Sequence, residues 1–320
     1  MRLVKGFLVL FLLAGAVVVG GLVWMHLDIE KYHAPLPLVA DVLALEQAND
    51  LPVKVSVIET ARQVMPRAGV LDPAHDPRPA EPYVMTHPSF VLEWADGRLL
   101  LVDVGMTKQG AVEFGEPIER FFHGQPVEPL APVATALGAA AARVQGMVFT
   151  HLHTDHVGAI SEVCARIGHP TKVFQTEAQQ DSWTVFTATG KRALDESGCA
   201  QRVRLAPTAL MPLEGFPGVA VVAVGGHTPG SQAIIAAVRP PGGAVRRFVF
   251  SGDVTNTIDG IREDVAKPLF YRLVVVPEDD DRLGEVRRYL RSLEKSFGFA
   301  IAVAHDQRNL ATLGIPAWGS

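Results

Sequence analysis

An unbroken apolar run opens the chain. FLVLFLLAGAVVVGGLVWM lies inside the uncharged stretch Gly6 to Leu27, with Arg2 and Lys5 ahead of it and Asp28 and Glu30 behind. About 20 apolar residues span a bilayer core as a helix. Ala14-Gly15-Ala16 offers a small-residue cleavage site, but the run continues past it through Trp24. A retained anchor is therefore favoured over a cleaved signal. Residues 1–27 are read as a transmembrane anchor or signal segment. The basic flank keeps the N-terminus cytoplasmic, so the remaining chain is expected on the periplasmic side of the inner membrane, or secreted if the segment is cut.

Beyond the run, the pattern changes. Residues 28–50 read as a tether and short helix, broken at Pro35 and Pro37. From Val53 alternation sets in, and Val53, Val55 and Val57 share one face of a strand ending near Thr60. Six prolines (Pro66, Pro73, Pro77, Pro79, Pro82, Pro88) predict a long irregular loop over 61–88, either a lid or a surface excursion. Ala95-Asp96-Gly97 between apolar runs predicts a hairpin. Residues 106–130 read as irregular. A helix is expected from Pro132 to Arg143, a strand from Gly146 to Thr150, and a helix from about Gly158 to Ile167, stopped by Gly168. Further strands follow at 172–175, 202–205, 219–224, 232–238 and 247–250. An amphipathic helix over 281–297 carries the stripe Leu283, Val286, Leu290, Leu293 and Phe297, and a last short strand runs from Ile301 to Val303. Many short strands with a few helices imply an α+β chain of two packed sheets under outer helices.

Composition narrows the reading little. With 48% hydrophobic and 20% charged residues a sizeable core can be buried. A net charge of -5 and a pI near 6.1 leave no footprint for nucleic acid. Cys164 and Cys199 lie in no CxxC pair. Two free buried thiols is the plainer expectation, and pairing in an oxidising compartment is the alternative.

The chemistry sits at strand ends. His151-Leu152-His153-Thr154-Asp155-His156 directly follows the strand ending at Thr150. His227, Asp253 and His305 each follow the end of another strand. Buried without a metal, the hexamer would leave its polar groups unpaired. Imidazoles and carboxylates suit zinc, and five of one with two of the other suffice for two ions. His26, His33, His75, His87, His123 and His169 are read as ordinary core or surface residues.

These residues resemble the metallo-β-lactamase superfamily. The likeness rests on THLHTDHVG (150–158), GHTPG (226–230), Ser251-Gly252-Asp253 and Ala304-His305-Asp306, and it covers roughly residues 53–310. It implies an αββα sandwich of two mixed sheets, the metallo-β-lactamase fold, with residues 51–320 as the hydrolase domain. Carried over by motif, His151, His153 and His227 would hold the first metal. Asp155, His156 and His305 would hold the second, with Asp253 bridging. Asp103, in Val-Asp-Val-Gly, would support a ligand histidine from behind, as would Thr150. The seven-ligand pattern is similar to that of acyl-homoserine lactonases and glyoxalase II-type thioesterases. Lactonases often carry a tyrosine three residues after the bridging aspartate; this chain has Asn256 there, and Tyr271 is another candidate donor.

The expectation is thus a dinuclear hydrolase of a small carbonyl compound, a lactone or ester, with two Zn(II) ions; Fe, Mn or Co stay open. A hydroxide between the metals would attack the carbonyl, and Asp155 would carry a proton to the leaving group. A thioesterase, a phosphodiesterase or sulfatase, a mononuclear iron oxygenase and a non-catalytic tethered binding module are the rivals. Phe114, Phe121, Phe122 and the proline-rich loop would line an apolar pocket, or serve as core or dimer contacts.

Overall fold

The computed structural model describes residues 2–29 and 32–320. The side chains of Arg2 and Lys5, and Glu30, which set the expected membrane orientation, lie outside the described residues. Among the described residues there are twelve strands: β1 (Lys54–Pro66), β2 (Pro82–Glu93), β3 (Leu99–Val102), β4 (Glu128–Pro129), β5 (Val144–Val148), β6 (Thr171–Gln175), β7 (Ala200–Arg204), β8 (Met211–Pro212), β9 (Val219–Ala223), β10 (Gln232–Val238), β11 (Arg246–Phe250) and β12 (Ala300–Ala302). The helices are α1 (Arg2–Ile29), α2 (Val39–Ala44), α3 (Lys108–Phe121), α4 (Val133–Leu137), α5 (Thr154–Val157), α6 (Ile160–Ile167), α7 (Glu177–Asp181), α8 (Ala188–Asp195), α9 (Ile258–Glu263), α10 (Asp280–Phe297) and α11 (Gln307–Thr312).

The strands form two sheets, a 7-stranded one in the order β4-β1-β2-β3-β5-β6-β7 and a 5-stranded one in the order β12-β11-β10-β9-β8. Both are mixed. β3, β5, β6 and β7 run parallel while β1, β2 and β3 are antiparallel, and β12 joins β11 in parallel beside an antiparallel meander. Strand alternation decides which residue meets which layer. Phe90, Leu92, Leu100, Val102, Ile234, Ala236, Phe248 and Phe250 fill the space between the sheets. Leu99, Leu101, Met147 and Val173 face outward under the helical layer that includes α4 and α6. Ala233, Ile235, Val249 and Ile301 face outward under Leu283, Val286, Leu290 and Leu293 of α10. β10 is buried on both faces, which is why it reads as a continuous apolar run. Each such side chain contributes roughly 1.5–3 kcal/mol on burial, so the four layers hold each other.

Three expectations need correction. β1 runs on to Pro66 and β2 starts at Pro82, so the irregular stretch is only 67–81 rather than 61–88. The prolines misled because each sits where a strand tolerates one: Pro66 and Pro82 at strand ends, and Pro88 opposite Glu59, next to the shift in register between Glu59 and Arg62. Residues 108–121 form α3, not irregular chain; Gly110, Gly115 and Pro117 hid a helix whose start is capped by the Thr107 hydroxyl accepting from Gly110 N. Cys164 and Cys199 are joined in a disulfide, with Cα atoms 5.3 Å apart. The two came together because α6 and the start of β7 pack on the same outer layer.

α1 contains the stretch Leu10–Ile29, long and apolar enough to cross a membrane, with mean hydropathy 2.2. Phe7, Phe11 and Val17 on it are exposed.

Candidate metal centre

All the sequence-expected ligands converge at one edge of the sandwich. β5 delivers the hexamer, β9 leads to His227, β11 to Asp253 and β12 to His305. The hexamer turns into the short helix α5, with His153 in extended conformation just before it. Asp155, His156, His151, His227, Asp253 and His305 are all buried, and His153 is half-buried.

The donor atoms form two groups that share Asp253. On one side, His227 Nε2 is 3.2 Å from His153 Nδ1, and Asp253 Oδ2 is 3.4 Å from His227 Nε2 and 3.8 Å from His151 Nε2. On the other, Asp253 Oδ1 is 3.3 Å from His156 Nε2 and 3.1 Å from His305 Nε2. Asp155 Oδ2 completes that side, 3.5 Å from His156 and 3.4 Å from His305. Two ligand atoms on one tetrahedral zinc, each bonded at about 2.0–2.2 Å, lie roughly 3.3–3.6 Å apart. The spacings therefore suit ions, and Asp253 lies between the two groups, with His305 Nε2 within reach of both its oxygens, 3.1 Å from Oδ1 and 3.2 Å from Oδ2. His151 Nε2, His156 Nε2 and Asp253 Oδ1 are buried without a hydrogen-bond partner. Orphaned polar atoms of that kind are costly unless something binds them.

The rings are fixed from behind. His156 Nδ1 faces Asp103 Oδ2 at 2.9 Å, His305 Nδ1 the Thr86 carbonyl at 2.9 Å, His227 Nδ1 Glu278 Oε1 at 2.5 Å, and His151 Nδ1 the Thr150 hydroxyl at 3.2 Å. An N–H donated outward leaves the other nitrogen's lone pair aimed into the site. Asp103 also accepts from Thr150 N at 2.7 Å and from the Thr150 hydroxyl at 2.8 Å. It holds a left-handed φ of 58°, a conformation that aspartate accepts more readily than most residues. Burial, then the neighbouring His227, lowers the His153 imidazole to about 3. Burial likewise lowers His151 and, together with Lys267, His227. All three are neutral donors at ordinary pH. Burial raises Asp155, but His156, His87 and His305 outweigh it and hold the carboxyl below its usual range.

Three buried groups carried no local signal in the sequence. Glu278 supports His227 and is itself paired with Lys267, whose ammonium donates to Glu278 Oε1 at 2.7 Å and to the Asp253 carbonyl at 2.8 Å. His87, expected to be ordinary, is 1% exposed, and its Nδ1 lies 3.3 Å from Asp155 Oδ2. The need of every ligand imidazole for an acceptor on its second nitrogen foretells a partner for His227, but not which residue supplies it.

Four of the expected ligands, His153, Asp155, Asp253 and His305, line one end of a cavity of about 360 Å³. Met65, Met85, Phe114, Ile118, Phe122, Phe186 and Val276 make its apolar wall; His153, Asp155, Asp253, Asn256, Tyr271 and His305 make its polar end. Phe114 and Phe122 thus line a pocket as expected, while Phe121 is 75% exposed. A larger groove of about 1070 Å³ lies elsewhere and is edged by guanidinium groups, of which Arg67 is already paired with Asp76 and Asp259.

Residues 83–304 match the family model of the metallo-beta-lactamase superfamily. The chain belongs to that superfamily. The fold agrees with that of solved structures. An N-acyl homoserine lactone hydrolase with N-hexanoyl-L-homoserine at its catalytic metal centre is similar at 15% identity and TM-score 0.59, over 82% of this chain and 96% of that one. A hydrolase of the beta-lactamase superfamily follows at 16% and 0.53, over 82% and 91%. A probable metal-dependent hydrolase from Staphylococcus aureus is similar at 13% and 0.54, over 80% and 90%. No curated protein matches the sequence. The superfamily places the chain among metal-dependent hydrolases.

Proposed function

We propose that this superfamily member is a dinuclear hydrolase that opens a lactone or ester bearing an apolar acyl group. One observation carries the reading: Asp253 stands between two sets of imidazole nitrogens, reaching His227 through Oδ2 and His156 through Oδ1, at the polar end of an apolar cavity. His151, His153 and His227 would hold one ion, and Asp155, His156 and His305 the other, with Asp253 shared. Zinc suits this donor set, and its geometry also admits iron, manganese or cobalt. Divalent ions bound there acidify a water and draw charge from a carbonyl oxygen.

The chain's own groups do the rest. The phenyl and methionine wall takes the acyl chain and excludes bulk water. Asn256 and the Tyr271 hydroxyl, at the polar end, are donors for the oxygen that becomes negative in the transition state. Burial, with Glu278 and Asp253 adding to it, raises the Tyr271 phenol well above its ordinary value, so it keeps the proton it donates. Asp155, ionised and facing the same cavity, receives a proton and passes it to the departing oxygen. The Cys164–Cys199 disulfide supports a body working in an oxidising compartment, as the anchor reading of α1 requires.

The test is metal quantification on the purified full chain, followed by parallel assays on a lactone, an ester, a thioester, a phosphodiester and a β-lactam. Two ions per chain and fastest turnover of the lactone or ester are expected. Phosphodiester turnover that exceeds both would replace the carbonyl reading, and absence of bound metal would end it.

A further inference from the structure

The anchor helix ends on the catalytic edge of the body, with almost no slack. Met25 and Ile29 of α1 close a small cleft with His153, Phe186, His227 and Val276, and His26 Nε2 lies 3.4 Å from the Leu273 carbonyl. Just beyond, His33 Nε2 meets Asp279 Oδ2 at 2.5 Å, and the Ala34 carbonyl accepts from Arg282 at 2.6 Å. Asp279 N in turn donates to the Gly226 carbonyl, next to His227. The chain is therefore pinned beside a candidate ligand within four residues of Ile29.

Depth follows from helix geometry. The apolar stretch reaches Ile29, and a helix rises about 1.5 Å per residue. Body residues touching Met25 and His26 sit about one turn inside the end of that stretch, which would be the headgroup boundary of a bilayer that α1 crossed. Their segments present apolar side chains outward: Leu269, Phe270, Leu273 and Val274 on one, Trp183 and Val185 on the other, each more than 40% exposed. Such residues at that depth are what an interfacial surface carries. The same two segments send Phe186, Tyr271, Val275 and Val276 into the catalytic cavity.

We propose that this collar rests in the outer face of the bilayer that α1 crosses, so that the cavity draws its substrate from the membrane. The substrate class is then a lactone or ester whose hydrocarbon chain partitions into lipid. The proposal rests on α1 as a retained anchor and, for the substrate alone, on the hydrolase reading.

The full chain is reconstituted in phosphatidylcholine–phosphatidylglycerol vesicles, with a bimane label on Leu273→Cys, Val185→Cys or Ala244→Cys. Ala244 lies in the turn between β10 and β11, at the far end of the strands from the metal ligands. Lipids carrying spin labels should quench the first two and spare the third; equal quenching by an aqueous agent at all three sites overturns the proposal. This reading needs no turnover, so it stands or falls apart from the hydrolase reading. Phe270→Asp with Leu273→Asp should then slow hydrolysis of a vesicle-dispersed long-chain ester at least ~10-fold while a short soluble ester is unaffected. An equal loss on both esters would overturn membrane supply.

A second, independent observation concerns His87. Its ring is buried, with Nδ1 facing Asp155 Oδ2 at 3.3 Å and Nε2 without a hydrogen-bond partner, its backbone is held by the Thr60 hydroxyl donating to its carbonyl, and its ring lies against His305 and Phe114. One ring nitrogen falls with donor atoms of Asp155 and His305 within 4.8 Å of one another. The geometry assigns His87 as a further ligand of the second ion. His87→Phe preserves the packing and removes the donor. Chelator competition should show the second ion held about 10–100-fold more weakly, with a changed Co(II) absorption spectrum and the first ion unaffected. His87→Gln should recover part of the loss. Unchanged affinity and spectrum in His87→Phe would overturn the assignment and leave the dinuclear reading intact; a wild-type chain with one ion would overturn both.

Discussion

Two buried carboxylates hold candidate ligand histidines from behind, and they are built differently. Asp103 supports His156 and is satisfied by neutral donors, the Thr150 amide and hydroxyl. Glu278 supports His227 and is satisfied by a full charge, the ammonium of Lys267. The first is a local arrangement, one strand end braced on its neighbour. The second gathers an ion pair from a distant loop and buries it beside a centre that already carries charge. A neutral support can be lost piecemeal, whereas a buried ion pair stripped of one member leaves an uncompensated charge. Burial raises the Glu278 carboxyl, and Lys267, then His227, outweigh it and bring it below its usual value, which fits an ionised partner.

The contrast is bounded from above by the shared ligand. Asp253→Ala should lower metal affinity by more than the ~100-fold typical of a supporting residue and abolish turnover; dialysis and metal analysis would read it, and full occupancy would dissolve both halves of the comparison. Next in size, Glu278→Leu and Lys267→Met should each cost about 3–5 kcal/mol in urea unfolding, while the double variant costs clearly less than their sum. Strict additivity would mean that the pair is not coupled. Asp103→Asn should cost less, about 1–3 kcal/mol, and weaken metal binding about 10–100-fold, as measured by chelator competition. A loss equal to that of Glu278→Leu would remove the distinction. Smallest, Thr150→Val removes one hydroxyl donor and should cost about 1 kcal/mol, with metal stoichiometry retained.

The same contrast explains what the sequence could reveal. Asp103 was legible only through the family resemblance, which its Val-Asp-Val-Gly matches, and the hexamer because four histidines and aspartates crowded into six residues have no packing role. Glu278 and Lys267 were not, since their partner His227 lies 51 and 40 residues away and nothing in Val-Pro-Glu-Asp or Ala-Lys-Pro marks a support. His87 was passed over because a lone histidine is usually an ordinary core or surface residue and the prolines placed it in a loop; its proximity to Asp155 and His305 sets it apart. The sandwich was readable from the succession of many short strands with few helices and from the stripe of α10. α3 and the far half of β1 were not, because glycine and proline tolerated at particular positions mimic the punctuation of a loop. The thiol pairing was likewise invisible, being a property of which layer α6 and β7 share.

That pairing has a consequence for how the protein matures. β7 is the outermost strand of the larger sheet, with Gln201, Arg202 and Arg204 along it and one side unpaired among the described residues. Such a margin invites strands from other chains. The bond from Cys199 to Cys164 clamps the residue just ahead of it to a helix before a stranger can dock there. Material produced under reducing conditions would lack this clamp and precipitate through that margin, whereas material exported before oxidation would emerge monodisperse.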